Sequence, residues 1–128
     1  MWSLLWEQVQ IEGEKMKQVV FVMLDEYADW EGAYLSSMLN QSDGWEVKTA
    51  SVRKKVVPIG GFHTVTDLTL DQISSDIDLL ILIGGNSWNI ENTELKQLIG
   101  QRLDNNQSVG AICGADRLSS KEWAIKQS

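Results

Sequence analysis

Two runs of the sequence are apolar at nearly every position, and they predict strands buried on both faces of a sheet. Residues 18–24 (QVVFVML) and 79–83 (LLILI) are rich in aliphatic and β-branched side chains, and two glycines close the second run. This pattern is typical of a parallel sheet that is covered on both faces. Apolar and polar residues alternate over residues 46–51, which predicts a half-buried edge strand. Residues 108–112 predict a third short strand, and residues 56–65 predict a short β excursion.

Helical patterns lie between these strands. Apolar residues recur every three or four positions in the segment that starts at Asp29 and ends near Asn40, and Asp29 is placed to cap its first turn. A second apolar stripe lies behind a candidate cap at Asn92 and consists of Leu95, Leu98, Ile99 and Leu103. Strands that alternate with helices predict an α/β, flavodoxin-like three-layer sandwich with a mainly parallel sheet.

Composition narrows the range of partners. The chain has 128 residues, enough for one domain, and its formal net charge of -7 without a basic run disfavours nucleic acid and anionic membranes as partners. A single cysteine and a single histidine exclude an internal disulfide framework and a His-rich zinc site. No segment approaches the roughly 20 apolar residues that a membrane span requires. We therefore expect a cytoplasmic protein without a metal ion, and the acidic segment 25–29 disfavours a phosphate-bearing cofactor.

The cysteine lies where chemistry is expected in such a sheet. Ligands bind at the carboxyl ends of strands in open parallel sheets, and Cys113 directly follows the predicted strand 108–112. Its neighbours are glycine, alanine and isoleucine, and small neighbours leave room for a strained strand-to-helix turn, a nucleophile elbow. A helix that began behind the sulfur would stabilise the thiolate. The alternative is a buried structural cysteine.

Three motifs together resemble a known family. They are Ala-Asp-Trp-Glu (28–31), Ile-Gly-Gly-Asn (83–86) and Ala-Ile-Cys-Gly-Ala (111–115), each at or just beyond the end of a predicted strand. In this order and spacing they resemble the PfpI-type branch of the class I glutamine amidotransferase-like superfamily, the group that includes the parkinsonism-linked deglycase. The resemblance covers about residues 17–115. It implies cysteine-dependent hydrolase or amidotransferase-like chemistry on a small-molecule substrate, no cofactor, and a homodimer.

The resemblance also implies roles for individual residues. Cys113 matches the nucleophile, and Glu31 matches the acid that touches the thiol, where a protonated carboxyl could donate to the thiolate. The amides of Gly85 and Gly114 match the oxyanion hole. The residues expected to line the pocket are Gly84, Asn86 and Trp88. The alternatives are a solvated glutamate on a helix face, ordinary turn chemistry for the glycine pair, and a packing role for the tryptophan.

The end of the sequence departs from the family pattern. Family members continue from the cysteine into a long helix and then to a histidine that orients or deprotonates it, whereas residues 116–128 are polar and the one histidine is His63. One permitted coding of residues 116–128, read with its first base dropped, gives Ile-Asp-Phe-Leu-Ala-Lys-Asn-Gly-Leu-Leu-Asn-Asn, which is similar to the family's elbow helix. We therefore expect a truncated or frameshifted copy: an N-terminal extension (1–15), a partial domain that lacks its C-terminal part (16–115) and a non-family tail (116–128).

Three hypotheses for the function follow. The first is a PfpI-type cysteine hydrolase or amidotransferase-like domain with little activity. The second is a non-catalytic thiol sensor or holdase chaperone, which needs a reactive cysteine but no histidine. The third is an inactive remnant, which a cooperative melt would argue against.

Overall fold

A six-stranded sheet forms the centre of the computed structural model, which describes residues 16–86, 92–113 and 122–126, with Cys113 and residues 122–126 as backbone only. The described strands are β1 (Lys17–Val22), β2 (Trp45–Ser51), β3 (Lys55–Val56), β4 (Thr64–Val65), β5 (Leu68–Thr69), β6 (Leu79–Ile83), β7 (Ser108–Cys113) and β8 (Glu122–Lys126). The order in the sheet is β5-β2-β1-β6-β7-β8, and β3 and β4 form a separate hairpin. The first five strands of the sheet run parallel, and β8 is antiparallel to β7. The predicted parallel sheet, its four predicted strands and the β excursion are confirmed, whereas β5 and β8 were not predicted.

Helices cover both faces of this sheet. On one face, α1 (Ala33–Gln41) and the β3–β4 hairpin share an apolar cluster with β1 and β6; its members include Phe21, Leu35, Leu39, Val56 and Ile81. On the other face, α2 (Thr93–Asp104) and a short 3-10 turn (Leu70–Gln72) pack on a second cluster that includes Val22, Leu70, Leu80, Leu95 and Val109. The predicted three-layer sandwich is therefore confirmed.

The first helix starts later than the pattern predicts. Its N-cap is Gly32, and no side chain caps it, so the prediction that Asp29 is the cap was wrong. The Asp29 carboxylate instead lies against Gly60 in the hairpin, where an added Cβ would collide with it. The predicted cap of the second helix is confirmed, because the Asn92 side chain accepts a hydrogen bond from the Leu95 amide at 2.8 Å.

The outer surface of α1 is apolar. Tyr34 and Met38 of α1 are 77% and 53% exposed, and Trp30, in the turn before the helix, is 50% exposed. The side chains that face the sheet from α1 are Leu35 and Leu39. The pattern was therefore helical as predicted, but much of its apolar stripe faces outward.

A buried arginine joins α2 to two strands. Arg102 is 2% exposed, and its guanidinium donates to the Ile77 carbonyl at 3.1 Å and to the Ser108 carbonyl at 3.0 and 3.3 Å. Ile77 precedes β6, and Ser108 begins β7. The side chain thus holds together the starts of the two strands whose other ends carry the candidate site.

Candidate functional site

The loop after β6 is joined to the loop after β1 by hydrogen bonds on both sides of Gly85. The Ala28 amide donates to the Gly84 carbonyl at 2.8 Å, and the Asn86 amide donates to the Glu26 carbonyl at 3.1 Å. The Gly84 amide also donates to the Ile112 carbonyl of β7 at 2.7 Å. These contacts bring the carboxyl ends of β1, β6 and β7 together, as the parallel sheet predicts.

Gly85 fits only as glycine, and its amide has no partner in the described structure. An added Cβ would lie 2.6 Å from the Tyr27 Cα and collide with the Glu26 carbonyl oxygen. The two hydrogen bonds of the loop use the neighbouring residues, and the Gly85 N–H donates to no residue that the structure describes. Gly85 itself is partly exposed.

Cys113 is the last residue of β7 and lies at the same edge of the sheet. Ile112 pairs with Ile83, so the backbones of Cys113 and Gly84 continue from adjacent strands at the next position. The predicted position at a strand end near the glycine pair agrees with this register. The Cys113 side chain, Gly114 and Trp88 lie outside the described residues, and their roles stay predictions. The next described element is β8, in which Glu122 pairs with Cys113.

Glu31 lies in the turn before α1. It is half-buried, its amide donates to the Ala28 carbonyl at 3.0 Å, and its Oε1 accepts from the Trp30 indole Nε1 at 3.0 Å. Because Ala28 also donates to Gly84, a chain of backbone contacts connects Glu31 to the glycine loop. Its predicted role toward the thiol stays a prediction.

Glu26 is a residue of this edge that the sequence reasoning missed. Its φ of 61° lies in the left-handed region, which costs a non-glycine residue about 1 kcal/mol or more. Its Oε1 accepts a hydrogen bond from Asn86 Nδ2 at 3.1 Å. Asn86, predicted to line the pocket, is exposed, and its side-chain amide is bound to Glu26. No pattern of residue types signals a left-handed glutamate, because the conformation depends on the loop packed against it.

A small cavity lies beside this edge, at the ends of β1 and β2. Its volume is about 160 Å³, and its lining residues are Leu24, Asp25, Ser51, Val52, Arg53, Lys55 and Asn92. Arg53 and Asp25 form an ion pair of 2.9 Å there, and since both side chains are largely exposed the pair contributes little to stability. None of the predicted site residues lines this cavity.

Comparisons with known proteins decide the family. A model of the DJ-1/PfpI family matches residues 17–127. The chain belongs to the DJ-1/PfpI family. The membership expected from the three motifs is thus confirmed, and with it the flavodoxin-like fold.

Individual DJ-1/PfpI relatives are similar over about half of their length. The chain is 43% identical over 100 residues to the uncharacterized protease YdeA of Bacillus subtilis strain 168, an overlap that covers 78% of this chain and 51% of that protein. It is 31% identical over 110 residues to the uncharacterized protease YoaZ of the same organism, covering 77% of this chain and 52% of that protein. The solved structure of a ThiJ/PfpI family protein from Bacillus anthracis matches with a TM-score of 0.70 and 31% identity, over 80% of this chain and 53% of that one. The chain therefore spans about half the length of the curated relatives it matches.

No helix among the described residues combines the length and the apolar character needed to cross a membrane.

Proposed function

We propose that this chain carries a cysteine hydrolase site of the DJ-1/PfpI type. The Cys113 thiolate adds to the carbonyl carbon of a small carbonyl, glycated or amide substrate, and the carbonyl π pair moves to oxygen. The amides of Gly85 and Gly114 donate to that oxyanion, and Glu31 holds the sulfur. With an amide or other acyl substrate, collapse of the adduct re-forms the carbonyl and leaves the acyl group on sulfur, while the leaving group departs with its electron pair and takes a proton from water. A carbonyl substrate without a leaving group forms a thiohemiacetal, whose oxyanion takes a proton from water. Gly84, Asn86 and Trp88 border the pocket.

The single observation that carries this proposal is the Gly85 amide. A backbone N–H without a partner in the described structure, fixed on both sides by hydrogen bonds, is a preorganised donor for a developing oxyanion. It lies in the loop that follows β6, and β6 pairs with β7, the strand that ends at Cys113. The names of the two curated relatives, both called proteases, agree with attack on a carbonyl carbon.

The same site favours thiol chemistry with little turnover. His63 is the one histidine of the sequence; it is exposed between β3 and β4 and hydrogen-bonds to no residue that the structure describes. A general base that activates water contributes about a hundredfold to ten-thousandfold to the rate at which a covalent adduct is hydrolysed. This observation favours a second candidate function, a cytoplasmic thiol sensor or holdase that uses the same cysteine and needs no histidine.

The test is a reaction with 4-nitrophenyl acetate. We expect a burst of 4-nitrophenolate with a single acetyl group on Cys113, found by mass spectrometry, followed by slow further release. Cys113→Ser is the matched control and should show no burst. A burst of equal size from Cys113→Ser would overturn the proposed function. Selective oxidation of Cys113 by peroxide, with no acetylation, would favour the sensor instead.

We also propose that the chain forms a homodimer through the apolar face of α1 and the hairpin. Both elements pack on the same side of the sheet, and residues 32–42 and 56–66 contain no Asp, Glu, Lys or Arg. Their exposed apolar side chains include Tyr34, Met38, Ile59, Phe62 and Val65. Two copies that each carry a formal charge of -7 repel least where they meet through an uncharged face.

Light scattering after size-exclusion chromatography tests the dimer. We expect twice the chain mass for the parent, and the mass of one chain for Tyr34→Glu or Phe62→Glu. Gln97→Glu, an exposed change on α2 on the opposite side of the sheet, should leave the mass unchanged. A parent that elutes as a single chain at high concentration would contradict the proposal.

A further inference from the structure

Glu26 adopts a conformation that its own side chain disfavours. Its φ of 61° places it in the left-handed region, which glycine enters freely and other residues avoid. Such a residue persists only where its surroundings hold it, and it is found preferentially near functional sites. We therefore expect the contacts of Glu26 to hold it in this conformation.

Three contacts of Glu26 connect three separate segments. Its amide donates to the Val57 carbonyl, just after β3, at 2.7 Å. Its carbonyl accepts from the Asn86 amide at 3.1 Å, and its carboxylate accepts from Asn86 Nδ2, also at 3.1 Å. Asn86 is thus held twice by one residue, through its backbone and through its side chain.

Gly85 is enclosed by these contacts. The Glu26 carbonyl oxygen occupies the space that a Gly85 side chain would need. Ala28 is hydrogen-bonded to Gly84, just before Gly85, and Glu26 is hydrogen-bonded to Asn86, just after it. Neither bond uses the Gly85 N–H itself, so the peptide is fixed while its donor stays available.

We infer that Glu26 is a positioning residue that keeps the Gly85 N–H directed at the candidate site. The inference rests on the proposed function, because a fixed donor is useful only if an oxyanion forms there. The carboxylate acts through Asn86 and does not touch the substrate. Loss of the carboxylate should loosen the loop after β6 and leave the thiol itself unchanged.

Two reactions of one thiol separate donor positioning from thiol reactivity. Alkylation by iodoacetamide forms a carbon–sulfur bond as iodide leaves with its electron pair, and no oxyanion arises. Acetylation by 4-nitrophenyl acetate passes through an oxyanion before 4-nitrophenolate leaves. Glu26→Ala should lower the acetylation rate about tenfold, less than the hundredfold or more seen when an oxyanion donor is removed outright. The alkylation rate should not change.

Two further variants complete the design. Glu26→Gln keeps an oxygen that can accept from Asn86 Nδ2 and should retain most of the acetylation rate. Asp43→Ala removes an exposed carboxylate from the turn before β2 and should match the parent in both reactions. Equal losses of acetylation and alkylation in Glu26→Ala, or no loss of either, would overturn the inference.

An NMR measurement tests the inference independently of Cys113 chemistry. The order parameter of the Gly85 amide should be that of a rigid backbone in the parent, Glu26→Gln and Asp43→Ala, and should fall toward that of a flexible loop in Glu26→Ala. An unchanged order parameter in Glu26→Ala refutes the positioning role. Absence of Cys113-dependent acetylation in the parent refutes the proposed function instead, so the two failures are distinguishable.

Discussion

Replacing Arg102 by methionine should destabilise the protein more than any surface substitution. The guanidinium is buried and makes three N–H···O contacts of 3.0 to 3.3 Å with the carbonyls of Ile77 and Ser108. Burial lowers the pKa of Arg102, and the negative charge of Asp78 offsets only part of this effect; an arginine nevertheless remains cationic throughout the working pH range. The hydrogen bonds are therefore charge-assisted at any pH of interest.

The magnitude follows from the two carbonyls that lose their donor. A hydrogen bond from a charged group contributes about 1.5–3 kcal/mol, and Arg102→Met removes those to two carbonyls, so it should lower the free energy of unfolding by about 2–5 kcal/mol. Methionine keeps part of the apolar packing of the arginine side chain, so the loss in free energy of unfolding should be smaller than for a truncation to alanine. Since domains of this size are stable by about 5–15 kcal/mol, the loss is a large share of the total.

Urea unfolding followed by tryptophan fluorescence measures this change. The midpoint should fall at an unchanged slope, because the same surface is exposed on unfolding. Arg102→Lys keeps the charge but loses the forked geometry, and it should lie between the parent and Arg102→Met. Gln101→Ala, an exposed change one residue away, is the control. A loss below about 0.5 kcal/mol in Arg102→Met, the range of surface changes, would refute the reasoning.

Three further stability predictions rest on local geometry, each checked by the same unfolding measurement. Gly85→Ala should cost about 1–3 kcal/mol because its Cβ meets backbone, whereas Gly100→Ala, with open space inside α2, should gain about 0.5–1 kcal/mol; equal effects would contradict the geometry. Asn92→Ala should cost about 1 kcal/mol through the lost helix cap, and Asn92→Asp should restore it. Tyr27→Phe should cost about 1 kcal/mol, since the Thr64 hydroxyl, 3.0 Å away, donates to a backbone carbonyl and so accepts from Tyr27; a double-mutant cycle with Thr64→Val that shows no coupling would refute this pairing.

The fold could be predicted because its central strands depend on local composition. Residues 18–24 and 79–83 are apolar throughout, and such runs are stable only when both faces are covered, whichever neighbours cover them. The strand β8 could not be predicted in the same way. Its sequence, EWAIK, is short and mostly polar or small, and it becomes a strand by pairing with the free edge of β7.

The errors at α1 have a similar cause. Asp29 has the residue type of a helix cap, but its carboxylate is packed against Gly60, and its Oδ1 is buried with no hydrogen-bond partner in the described structure. Helical spacing likewise shows that α1 has an apolar stripe without showing which side meets the sheet. From its residue type, Arg102 is expected on the exposed polar face of an amphipathic helix. Its buried position could not be predicted, because its carbonyl partner Ile77 is distant in sequence. Contacts between distant segments decided each of these features.

At the candidate site, the proposed oxyanion donor and the base needed for turnover are separate requirements. The proposed donor, the Gly85 amide, lies between two residues that are held by hydrogen bonds to residues 26–28 and to Ile112. A base for turnover is a separate requirement, and the one histidine, His63, bonds to no part of the described structure. In the proposed chemistry, addition of the thiol uses the oxyanion donor, whereas release of the adduct by water also needs a general base. The proposed chemistry therefore predicts a burst of addition followed by slower release, and a thiol that forms such an adduct is also what the proposed sensor requires.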